Sequence, residues 1–145
     1  MKIKAELAGR DFIEVECDGE SESSPGRILK VKMTGCTDFL DLMQTMRKNF
    51  GVDLKKWPVP EGSDHSSILV REMILKLQGA WNYPYDEKEL CHCRMIDTEV
   101  VDQAIVAGAH TPEKVTRQTS ASTACGTCRP NVQKIIDYRL NKKSA

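Results

Sequence analysis

The sequence predicts an α+β protein: a three-stranded antiparallel sheet with helices, followed by a small all-α C-terminal part. Apolar and polar residues alternate at three places before residue 35, the period of half-buried strands. From residue 37 the apolar spacing changes to that of a helix. After residue 94 the pattern breaks into short helical stretches with sharp start and stop signals.

Met1–Leu7 alternates weakly and Phe12–Cys17 clearly, with Ile13, Val15 and Cys17 on one face. Leu29–Met33 alternates again, placing Leu29, Val31 and Met33 together. Between the second and third strands, DGESESSPG (residues 18–26) reads as an exposed acidic connection. Thr34-Gly35-Cys36-Thr37 ends the third strand, and Thr37 or Asp38 is the expected cap of a helix. That helix carries Phe39, Leu40, Leu42, Met43, Met46 and Phe50, and Gly51 closes it. Residues 52–64 read as irregular. A further helix begins near Ser66, with Val70, Met73, Ile74 and Leu77 inward. Methionines at this spacing fill a core, because an unbranched thioether adapts to irregular gaps. The expected organisation is an α+β domain over 1–80, a linker over 81–90 and a second domain over 91–145.

The 145 residues hold 21 Lys and Arg against 21 Asp and Glu, a formal net charge of zero. Nucleic acid and anionic membranes are therefore not expected partners, since neutralising phosphates requires surplus cations. The start, MKIKAELAGRDFIEV, lacks an apolar stretch of signal-peptide length, and no run is long enough to span a bilayer. The expected location is the cytoplasm, where cysteines serve as thiols or metal ligands rather than disulfides.

Six cysteines then become the main question. Cys17 and Cys36 are isolated, whereas Cys91-His92-Cys93 and Cys125-Gly126-Thr127-Cys128 form two close pairs separated by 31 residues. Thiolates converging from two such pairs suit zinc or an iron–sulfur cluster. Zinc sites favour two to four residues between paired cysteines. The single residue between Cys91 and Cys93 departs from that pattern, and spacing alone leaves both metals open.

Between the pairs, Asp97 can cap a helix with Val101, Ala104 and Ile105 inward and Gly108 as its stop. Thr111-Pro112-Glu113 is a second start signal, for a short helix with Val115 inward. QTSASTA (residues 118–124) suits a close-fitting loop. Cys128-Arg129-Pro130 opens a last helix, with Val132, Ile135, Ile136 and Leu140 at helical spacing. Cys128 would sit at its N-terminus, where backbone N–H groups and the dipole favour a thiolate.

These residues carry a family resemblance. Cys91 and Cys93, Ile96-Asp97, Val101, Ala104-Ile105, Gly108, Thr111, Val115, Thr119 and Cys125-Gly126-x-Cys128 resemble the bacterioferritin-associated ferredoxin-like (BFD-like) 2Fe–2S domain. The resemblance spans about 50 residues. It implies a small helix-turn-helix-like fold holding one 2Fe–2S cluster through Cys91, Cys93, Cys125 and Cys128, with zinc as the alternative metal. Two ferric ions, two sulfides and four thiolates leave a charge of about −2 on such a cluster. Arg94, Arg117, Arg129 and Lys134 lie close in sequence to the ligands or their loops, placed to offset that charge or guide an acidic partner.

A second resemblance lies in the first eighty residues. A strand leading into Gly35-Cys36 at a helix start, then Pro58-Val59 and His65-Ser66 opening another helix, is similar to the U-type iron–sulfur scaffold, IscU and the NifU N-terminus. Cys36 matches that scaffold's middle cysteine and His65 the histidine beside its last one. Ser66 stands in place of the last cysteine, and none takes the place of the first, which would lie near residues 24–26. The implied domain is a degenerate scaffold, and the domain order is that of NifU-type proteins. Cys36 and His65 are thus candidate secondary site residues; Cys17 has no assigned role.

The expected function is one-electron transfer, ferredoxin-like, to a redox protein partner. The alternative is cluster assembly or delivery with an assembly partner. A third reading makes the metal a structural or regulatory element. Catalysis on a small substrate is not expected, because no nucleophile–base set or phosphate-binding loop is evident.

Overall fold

The computed structural model describes residues 1–21, 25–85, 89–91, 96–119 and 129–140. The chain is α+β, and it divides into two compact units, Met1–Asn82 and Tyr83–Ala145.

In the first unit, β1 (Lys2–Leu7), β2 (Asp11–Cys17) and β3 (Ile28–Thr34) form an antiparallel sheet in sequence order. Strict alternation places Ile3, Ala5 and Leu7 of β1 with Ile13, Val15 and Cys17 of β2 on the buried face. Asp11 occupies the same phase of β2 and is only 1% exposed, so one carboxylate shares the apolar face.

Leu29 departs from the alternation expected of it. Cys17 pairs with Ile28 and Glu16 with Lys30, so Leu29 is the extra residue of a bulge and is 62% exposed. The acidic connection is held at its base, where Asp18 Oδ1 accepts the Arg27 N–H at 2.6 Å.

Helix α1 (Thr37–Phe50) buries Phe39, Met43 and Met46. Its N-cap is Cys36 rather than Thr37 or Asp38. Gly51 ends it in a left-handed conformation (φ 89°), its N–H donating to Arg47 O. Within the stretch read as irregular, Leu54–Lys56 forms one 3₁₀ turn that buries Leu54, and Trp57 follows it into the core.

Helix α2 (His65–Leu77) starts at an Asp64 cap. Ile68, Leu69, Val70, Met73, Ile74 and Leu77 are all at most 1% exposed, and even Arg71 and Glu72 are buried. A helix buried on nearly every side must satisfy its charges locally. Arg71 donates to Pro60 O and Gly62 O, and Glu72 pairs with Lys76.

In the second unit, β4 (Glu89–Cys91) and β5 (Ile96–Asp97) form a short antiparallel ribbon, an addition to the all-helical expectation. Helices α3 (Thr98–Ala107), α4 (Pro112–Thr119) and α5 (Arg129–Arg139) follow. Asp97 is the N-cap of α3 by position and Gly108 its stop, while Thr111 Oγ1 accepts the Lys114 N–H at the start of α4.

Val101, Ile105, Ala109, Val115, Val132, Ile135 and Ile136 make the core of this unit. Tyr83 and Tyr85, within the stretch read as a linker, pack against it. Arg139 is 4% exposed and forks onto both oxygens of Asp102, at 2.7 and 2.6 Å. Tyr83 Oη donates to Asp102 Oδ1 at 2.9 Å, which ties the segment before β4 to α3 and α5.

Candidate metal centres

In sequence, the two C-terminal cysteine pairs flank α3 and α4. Cys91 ends β4, opposite Ile96 in the ribbon. Cys93, Cys125 and Cys128 lie outside the described residues, as do His92 and Arg94. Helix α5 is described from Arg129, the residue that follows Cys128 in sequence. Arg117 and Lys134 are both exposed.

The donor set itself fits an iron–sulfur cluster. Four cysteines in two pairs are the number and kind of donors that a 2Fe–2S centre takes from protein. Reversible one-electron change at iron is the chemistry such a cluster supplies when bound.

A second constellation forms in the first unit, where residues distant in sequence meet. The tight β1–β2 turn, with Gly9 at φ 76° and the Arg10 N–H donating to Leu7 O, delivers Asp11 to the start of β2. Cys36 caps α1 at the end of β3, and its backbone N–H donates to Asp11 Oδ1 at 2.8 Å. Asp64 starts α2 by accepting from the Ser67 N–H at 3.1 Å and Ser67 Oγ at 2.8 Å, which fixes the position of His65. Burial raises the Asp64 carboxyl, but these hydrogen bonds outweigh it and the net shift is downward.

Cys36 Sγ then lies 3.2 Å from His65 Nε2, and Asp11 Oδ2 lies 2.8 Å from the same nitrogen. Carboxylate, thiol and imidazole donor atoms all fall within 4.8 Å of one another. Cys36 and His65, paired from sequence, are therefore brought together. Asp11 is the partner that sequence reasoning missed. Its signal was present: an acidic residue in phase with Ile13, Val15 and Cys17 on the inward face of a strand.

Gly35 makes room for this arrangement. A Cβ there would stand 2.5 Å from Asp11 Oδ1 and 2.8 Å from Phe39 Cδ1. Cys17 takes no part: it is 1% exposed, and burial pushes its thiol pKa up, the condition of an inert core thiol.

Residues 90–138 match the family model of the BFD-like [2Fe-2S] binding domain, and the match supports 2Fe–2S cluster binding by this part of the chain. No curated protein and no solved structure matches the chain.

Proposed function

We propose that this protein is a one-electron carrier whose cluster is held by Cys91, Cys93, Cys125 and Cys128 and serves a protein partner. The observation that carries this reading is the match of residues 90–138 to the BFD-like domain, with both cysteine pairs inside the matched span. In this role Cys91 is offered from the end of β4, and α5, which follows the second pair in sequence, contributes the backbone N–H groups of its first turn. Exposed Arg117 and Lys134 supply positive charge for an acidic docking surface. The protein acts as a carrier in the cytoplasm and turns over no small substrate.

Anaerobic purification followed by dithionite reduction tests this. The expected outcome is an electron paramagnetic resonance signal from a reduced 2Fe–2S centre. A colourless protein with one zinc per chain and no acid-labile sulfide would contradict it.

A second reading, cluster assembly or delivery by a NifU-type arrangement, draws support from the approach of Cys36 to His65. It predicts that a cysteine desulfurase and iron load an additional labile cluster that depends on Cys36. Equal loading in Cys36→Ala would sink it.

A further inference from the structure

The sheet of the first unit ends at β3, which pairs with β2 alone. At the other end β1 is closed: its inward residues are buried, and Lys76 Nζ donates to Lys4 O. No residue of β3 is buried, and Val31 and Met33, opposite the buried Val15 and Ile13, are only half-covered. The bulge at Leu29 leaves residues 30–34 as a regular edge. Such an edge offers backbone N–H and C=O groups to any extended chain that can lie beside it.

An open groove of about 400 Å³ lies beneath this edge. Val31 and Met33 of β3, Leu40 and Met43 of α1, and Val52 and Trp57 are among the residues that line it. Val52 is 68% exposed. The surrounding charge is one-sided: Lys30, Lys32, Arg47 and Lys56 are exposed and form no ion pair among the described residues. Across the polar face of the sheet, sign alternates strand by strand, as Lys2–Glu16–Lys30 and Lys4–Glu14–Lys32. The next strand of that series would carry acids.

We propose that the β3 edge binds an extended segment of a protein partner in which acidic and apolar residues alternate, added to the sheet as a fourth strand. Because strand side chains alternate, the acids of such a segment fall opposite Lys30 and Lys32. Its apolar residues then share the face of Val31 and Met33, over the groove. Backbone pairing supplies affinity in this mode, and the alternate side chains supply specificity. A second copy of this chain does not fit. Pairing β3 with itself antiparallel about Val31 sets Lys30 against Lys32 of the other copy, like charges directly opposite. Lysines on an edge strand guard against self-pairing, but an apolar groove beneath them is more than guarding needs. The inference does not depend on the C-terminal cluster and holds under either reading of its function.

The test uses the full chain with its cluster in place and a capped, dye-labelled heptapeptide of alternating glutamate and valine, followed by fluorescence anisotropy. Saturable binding below about 1 mM is expected, weakening as salt rises. Hydrogen exchange should show new amide protection in β3. The double variant K30E/K32E should weaken binding at least about fivefold, because two cross-strand pairs become repulsive. Val52→Asp should weaken it at least about threefold by removing apolar cover. All three positions are exposed, and circular dichroism confirms that the variants fold. N-methylation of alternate peptide amides should abolish binding in one phase and spare it in the other. No saturable binding below about 1 mM would overturn the proposal. So would equal binding of a lysine–valine heptapeptide, or of one with glutamates and valines in separate blocks. Binding that survives N-methylation in both phases would mean groove occupation without strand pairing. Dimerisation that protects β3 would assign the edge to a second copy instead.

Discussion

Gly35 and Arg139 show how much depends on individual contacts. An alanine at position 35 would drive its Cβ into Asp11 and Phe39, both at most 1% exposed and without room to move aside. Gly35→Ala should therefore cost about 1–3 kcal/mol, the usual penalty of overpacking, in urea unfolding of the first unit. Arg139 is the opposite case, a buried cation whose removal leaves Asp102 uncompensated in a side-chain environment only 13% exposed. Arg139→Ala should destabilise the second unit by about 3–5 kcal/mol, seen as loss of amide-exchange protection in α3 and α5. A change below 1 kcal/mol would mean that the Tyr83 hydroxyl and water satisfy Asp102 by themselves.

Among elements, α2 has its start set by a titrating side chain. Asp64 accepts two hydrogen bonds from Ser67, and its carboxyl lies below the usual range. A carboxylate whose folded-state pKa lies below its unfolded value contributes stability above the unfolded value. That contribution is lost as pH falls through the folded one. Asp64→Ala should cost about 1 kcal/mol near neutral pH. The difference from wild type should shrink as the medium is acidified below the ordinary carboxylate range, measured by helical circular dichroism. Helix α5 depends on what precedes it: Cys128→Ala should abolish the stable cluster spectrum and loosen the second unit, and a retained normal spectrum would contradict the ligand assignment.

The elements were largely legible in the sequence because their determinants are local. Alternation marks β2, glycines at 51 and 108 stop two helices, and Thr111-Pro112 starts a third. Where local reading failed, a non-local fact intervened. Leu29 is exposed because its strand bulges against β2, which its own alternation does not reveal. Cys36 displaced Thr37 as the cap of α1 because its N–H is already claimed by Asp11, 25 residues earlier. Asp11 itself follows Gly9 and Arg10, so it reads as part of a polar turn. It is inward because β2 begins at Asp11, one residue before the clear alternation starts, which keeps it in phase with Ile13, Val15 and Cys17. The Asp102–Arg139 pair likewise spans 37 residues and leaves no periodic trace.

At the scale of the whole molecule, two units divide the chemistry. The second matches a 2Fe–2S binding domain over residues 90–138. The first gathers an oxygen, a sulfur and a nitrogen donor at the meeting point of two helix starts and a strand. No described helix is long and apolar enough to cross a membrane. Formal neutrality would conceal a redistribution: a 2Fe–2S cluster on four thiolates, as proposed, makes the second unit more negative than its residue charges alone indicate. An electrostatically guided partner would therefore be sensed through a few exposed cations such as Arg117 and Lys134. Charge reversal at both should slow electron exchange with an acidic partner most at low ionic strength, in stopped-flow measurements, and leave the cluster spectrum unchanged.

The most direct test of the central claim is the iron and acid-labile sulfide content of the anaerobically purified chain. The proposed cluster requires about two iron and about two sulfide per chain, both lost when Cys91, Cys93, Cys125 or Cys128 is replaced. Zinc in their place, with no labile sulfide, would contradict it.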